Sequence, residues 1–111
     1  MRWIYITPLD VQTCCSRLTN PDIGQVDEWN FFRVDVTKVS DSHLYMMYKG
    51  RKFSKIRETA YLVSAVPDGT SPQTRITMEF KSELLNIPYP MTPVTELDEF
   101  MKLALNASRI E

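Results

Sequence analysis

The most regular alternation of apolar and polar positions lies near the C-terminal third of the chain. Thr74, Ile76, Met78 and Phe80 alternate with Arg75, Thr77, Glu79 and Lys81. Successive side chains of a strand point to opposite sides, so this run predicts a strand with one face on a core and one in water. Thr59–Val66 is a second apolar, β-branched run. It ends at Pro67-Asp68-Gly69-Thr70, a strong turn signal. The two runs are expected to pair antiparallel across a loop of about seven residues, long for a hairpin and mobile at its tip.

Upstream, Trp29–Val39 also alternates, with Phe32, Val34 and Val36 against Arg33, Asp35 and Thr37. Ser40-Asp41-Ser42 is a polar turn, and His43–Lys49 resumes with Leu44, Met46 and Tyr48 on one face. These two runs predict an antiparallel hairpin. Residues 2–6, Arg-Trp-Ile-Tyr-Ile, are β-branched and aromatic and predict a first strand.

Two stretches carry helical spacing. Val11, Cys14, Cys15 and Leu18 recur at i, i+3, i+4 and i+7. Thr7-Pro8 is expected to open this helix as N-cap and first helical residue, with Asp10 closing a weak capping box. Asn20-Pro21 is expected to end it, because a residue before proline avoids helical angles. Near the C-terminus, Leu97, Phe100, Met101, Ala104 and Leu105 form a wide apolar stripe. This helix is expected to start at Thr92-Pro93, or with Thr95 and Asp98 as an alternative cap. Pro88, Pro90 and Pro93 predict an extended segment before it.

The order β-α-β-β-β-β-α predicts a two-layer α+β domain. Its antiparallel meander of about five strands carries the N-terminal and C-terminal helices on one face. At the level of element order alone, the pattern resembles a reduced helix-grip arrangement, as in START and Bet v1-like domains. There a C-terminal helix lies across a curved sheet. Those domains carry more strands and a second short helix. A pleckstrin-homology-like fold also ends in such a helix, but the early helix at Pro8–Asn20 argues against it.

Composition sharpens this picture. The chain has 111 residues, 43% apolar, with 13 Lys+Arg against 14 Asp+Glu. That suits one folded domain over residues 1–111, and equally a piece of a longer protein. The near-zero net charge gives no global field for nucleic acid. No apolar stretch is long enough to span a bilayer. Met1–Pro8 is too short for an export signal. The adjacent Cys14 and Cys15 do not suit a mutual disulfide, so a reducing, cytoplasmic setting is expected. Asn106-Ala107-Ser108 matches a glycosylation sequon by chance.

Candidate chemistry is sparse. His43 is the single histidine and sits at a predicted turn beside Asp41 and Ser42. No G-x-S-x-G elbow is present. Two cysteines and one histidine fall short of a zinc site, so no metal is expected. Three glycines cannot build a phosphate-cradling loop, so no nucleotide cofactor is expected. Glu79 with Glu83, and Glu96 with Glu99, are the carboxylate pairs to weigh as acid and base. Glu79 falls on the wet side of its strand and Glu96 and Glu99 on the outer side of the helix, which suits solvated charges. No catalytic residue is assigned and no enzymatic activity is expected.

Binding features remain. Lys49, Arg51, Lys52, Lys55 and Arg57 place five cations in nine residues, with Tyr48 and Phe53 between them. The run suits an edge strand guarded by lysines, or an anionic ligand or partner; nucleic acid is a weaker reading. Met46, Tyr48, Met78, Phe80, Phe100 and Met101 would line an apolar pocket if the sheet curved beneath the last helix. Trp3, Tyr5, Phe31 and Tyr45 are expected on faces opposite the core, where aromatics mark contact sites. The expected function is therefore a non-enzymatic binding or protein-interaction domain, with a protein partner or homo-oligomer. The alternative is a carrier for a small apolar ligand held between sheet and C-terminal helix.

Overall fold

The computed structural model describes residues 1–20, 32–38, 43–49, 58–69, 73–81 and 94–111, with backbone alone for 32–38, 46–49 and 58–60. The described elements follow in the order β1 (Arg2–Thr7), α1 (Val11–Thr19), β2 (Phe32–Lys38), β3 (His43–Lys49), β4 (Glu58–Pro67), β5 (Thr74–Phe80), α2 (Val94–Leu105) and β6 (Ser108–Arg109). The strands form one sheet in the order β2-β3-β4-β5-β1-β6. All its pairs are antiparallel. Five strands are long, and β6 adds a two-residue edge.

Residues β2 to β5 make the expected meander, and β1 joins it beside β5. Arg2↔Glu79 through Thr7↔Thr74 set that register. Thr7, Tyr5 and Trp3 therefore stand beside Thr74, Ile76 and Met78, in the same rows as Pro67, Ala65 and Val63 of β4. This is the face that both helices cover. Tyr5, Tyr61, Val63, Ala65, Ile76 and Met78 join Cys14 and Leu18 of α1 and the whole apolar stripe of α2 in one cluster. Leu97, Phe100, Met101, Ala104 and Leu105 are all buried. Removing each large side chain of that stripe from water contributes about 2 kcal/mol, so α2 is held by packing more than by helix propensity.

Several local expectations are corrected. The N-cap of α1 is Asp10, not Thr7. Its Oδ1 accepts from the Thr13 N–H at 2.7 Å. Thr7 instead ends β1. Its buried hydroxyl donates to the Leu105 carbonyl at 2.5 Å and accepts from the Leu9 N–H. A strand end tied to two neighbouring backbones cannot also cap a helix. Helix α1 does stop before Asn20-Pro21, with Asn20 extended at φ −68, ψ 123.

Thr95 lies inside α2, so it is not a cap, and the alternative Thr92-Pro93 lies outside the described residues. Asn106 ends α2 at φ 51, its N–H donating to the Lys102 carbonyl at 3.0 Å. That is a left-handed cap of the kind asparagine tolerates. Glu96 is buried rather than on the outer side, and Glu99 is half-buried. The predicted strand from Trp29 to Val39 is described only over Phe32–Lys38. Its register shifts between Arg33 and Asp35, which interrupts a continuous alternation. The loop of β4 and β5 closes with Asp68 N–H donating to the Gln73 carbonyl at 2.9 Å, next to Gly69 at φ 75. Its tip, expected to be mobile, lies outside the described residues, as does the proline segment before α2.

Candidate interaction surface

The other face of the sheet carries no described helix. Its membership follows from register. Ile4 pairs with Thr77, Thr77 with Ser64, and Ser64 with His43, forming one row. Glu79, Leu62 and Tyr45 form the next row, beside Arg2. Ile6, Arg75 and Val66 form a third. Directly opposed residues share a face, so Ile4, Ile6, Leu62, Val66 and Tyr45 all point away from the helices.

The tail extends this surface. Ile110 N–H donates to the Ile4 carbonyl at 2.8 Å, which places Ile110 alongside Ile4. Val66 is 43% exposed, Tyr45 36% and Ile110 55%, while Ile4 is covered by its neighbours to 8%. Polar and charged residues divide this face: Arg75, Thr77 and Glu79 of β5 stand between the apolar residues of β1 and those of β4. Arg75 meets Asp68 at 3.4 Å and Lys81 meets Glu79 at 2.9 Å. The Lys81 ammonium, as hydrogen-bond donor and neighbouring charge, holds the Glu79 carboxyl below its ordinary range. The face is thus a mixture of partly exposed apolar side chains and ion-paired charges, a composition compatible with a protein contact surface.

Trp3 and Tyr5 do not belong to this face, contrary to expectation. Tyr5 is fully buried on the helix side, and Trp3 is half-buried there. The Trp3 ring stands edge-on to Tyr61, with centroids 6.1 Å apart and planes at 74°. Tyr45 does face outward as expected, and Phe31 lies outside the described residues. The sequence reading missed Ile4, Ile6, Leu62 and Val66 because Trp-Ile-Tyr-Ile of β1 and Tyr-Leu-Val-Ser-Ala-Val of β4 both carry apolar residues on either side. Only pairing with the clearly alternating β5 settles which side is which.

The proposed pocket residues separate. Met78, Phe100 and Met101 are closed into the core, and Phe80 is half-buried at the end of β5. The side chains of Met46 and Tyr48 lie outside the described set. So does the Lys49 side chain, and so do Arg51, Lys52, Lys55 and Arg57 altogether. Two depressions are described, both on outer helix surfaces. One of about 350 Å³ is lined by Asp98, Glu99, Lys102 and Leu103. Another of about 410 Å³ is lined by Gln12, Thr13, Ser16, Arg17 and Asn20.

Other chemistry is limited. His43 opens β3 opposite Ser64 rather than sitting in the turn. Cys14 is buried, and burial pushes its thiol up to about 11 despite the opposing influence of the neighbouring Thr74 hydroxyl. A thiol so held is a poor nucleophile at neutral pH. Among the described residues, no three His, Cys, Asp or Glu side chains gather as a metal site. No described helix is long and apolar enough to cross a membrane.

No family model matches this chain, no curated protein matches its sequence, and no solved structure matches its fold.

Proposed function

We propose that this chain is a non-enzymatic protein-interaction domain that binds through the outer face of its sheet. One observation carries the reading: the register aligns Ile4, Ile6, Leu62, Val66 and Tyr45 on the face opposite both helices. An antiparallel sheet needs only one apolar face to build its core. Apolar side chains on a second face, interleaved with charges, are surplus to folding and suit a partner. The adjacent thiols of α1 suit a reducing compartment, so a cytoplasmic setting is part of the proposal.

The ligand-carrier reading has less support. Tyr5, Tyr61, Ile76, Met78, Phe100 and Met101 are each 0% exposed between sheet and α2. A ligand would have to displace packed side chains there.

Photo-crosslinking tests the proposal. A photoreactive residue is placed at Val66 or Tyr45, and in parallel at Gln12 on the outer surface of α1. A discrete protein adduct is expected at the sheet positions and not at Gln12, and Leu62→Lys should remove it. Equal, diffuse labelling at all three sites overturns the reading.

A further inference from the structure

The inference concerns the edge of the sheet rather than its outer face, and it stands on separate observations. Strand β6 covers β1 with two paired residues, Tyr5↔Arg109 and Ile6↔Ser108. Beyond them, Ile110 N–H and Glu111 N–H both reach the Ile4 carbonyl, at 2.8 and 3.4 Å, and Ile4 N–H reaches the Glu111 carbonyl at 3.2 Å. Every side chain from Ser108 to Glu111 is exposed. The one side-chain anchor described is Arg109 Nε, which meets the Asp98 carboxylate at 2.9 and 3.2 Å on the surface of α2. This segment thus contributes backbone hydrogen bonds and a solvated ion pair but buries no apolar side chain. Elements of that kind open before the rest of a fold does. The left-handed Asn106 and buried Ala107 fix the chain between α2 and β6.

What opening exposes is a long, apolar strand edge. Odd-numbered residues of β1 turn their backbone groups to β5, as the Phe80 N–H to Met1 carbonyl bond of 3.0 Å shows. Even-numbered Arg2, Ile4 and Ile6 turn theirs to β6. Such an edge is a template for another strand.

We propose that β6 is a releasable strap over the β1 edge, and that the freed edge pairs antiparallel with the β1 edge of a second copy of this chain. The sequence of β1 is self-complementary in that register. A twofold axis at Ile4 places Ile4 opposite Ile4 of the second copy, and Arg2 opposite its Ile6. Trp3 then lies opposite its Tyr5. All three edge residues find hydrogen-bonding partners, no like charges oppose, and an aromatic pair forms on the helix side. The second copy also restores cover to the flank of Tyr5 that Arg109 leaves.

Hydrogen exchange on the full chain reads the strap directly. The Ile4 and Ile6 amides are expected to exchange about tenfold or more faster than those of Trp3 and Tyr5 in the same strand. Light scattering reads the pairing. R109A removes the anchor, and S108P removes a strap donor. Both should form a dimer as concentration rises, at concentrations where the parent stays monomeric. Adding Val66→Glu should leave that dimer intact, which separates it from association through the outer face. Equal exchange along β1, folded R109A and S108P chains that both stay monomeric, or a dimer abolished by Val66→Glu would each overturn the proposal.

Discussion

Tyr5 Oη donates a 2.7 Å hydrogen bond to Asp98 Oδ1, joining the middle of β1 to the middle of α2 across 93 residues of sequence. The same carboxylate takes both contacts from Arg109. Burial, together with the bond to Asp98, pushes the Tyr5 phenol far above its ordinary range. Tyr5→Phe keeps the ring and removes the donor. The expected cost is about 1.5 kcal/mol, the range of a hydrogen bond to a charged acceptor, measured by urea unfolding. R109A should cost less, at most about 1 kcal/mol, because its ion pair is solvated.

The stripe of α2 sets the scale of the core. Phe100→Ala is expected to cost about 3–5 kcal/mol and Met101→Leu under about 1.5 kcal/mol, since the second substitution conserves volume. Urea midpoints of the two variants should differ accordingly. A small loss for Phe100→Ala would mean that α2 is not the main cover of the sheet.

Asn106 holds a left-handed conformation that glycine adopts without strain. Asn106→Gly should leave stability unchanged or slightly raised, whereas Asn106→Val should lower it by about 1–2 kcal/mol. Thermal melts of the pair make the comparison.

Alkaline pH should destabilise the fold. Burial raises the Cys14 thiol to about 11 in the folded state, against about 9 when exposed. The unfolded chain therefore releases this proton first, and the thiol's contribution is lost as pH climbs from about 9 to 11. Tyr5 acts with the same sign. Melting temperature is expected to fall over that interval, and Cys14→Ala should flatten the decline.

Acid acts through the opposite kind of group. The Thr13 backbone and side chain hold the Asp10 carboxyl below its ordinary range. Its contribution is present above the unfolded value and is lost as pH falls through the folded one. Asp10→Ala should lower the melting temperature by a few degrees at neutral pH and by less near pH 3.

Strands β3, β4 and β5 and the buried stripe of α2 were legible in the chain itself, whereas β6 was not. Polar residues at every second place in 74–81, and apolar ones at every third or fourth in 97–105, leave only one side to bury. The turn at Pro67-Asp68-Gly69 and the stop at Asn20-Pro21 were legible for a similar local reason: the backbone angles of proline and glycine are restricted or permitted residue by residue. Thr7 and Asp10 were not distinguishable as caps, because both side chains can accept from a helix N-terminus. The Leu105 carbonyl, 98 residues away, claims Thr7 and leaves Asp10 to do it. The orientation of β1 was equally hidden. Its alternating Trp, Ile, Tyr and Ile satisfy either parity, and pairing with Ile76 and Met78 chose one. Glu96 looked solvated from helical spacing and lies buried instead. Local pattern thus determined which segments become strands and helices, since that depends on neighbours in the chain. Which residues face away from the helices, and where β6 lies against β1, was decided only when distant strands set their register.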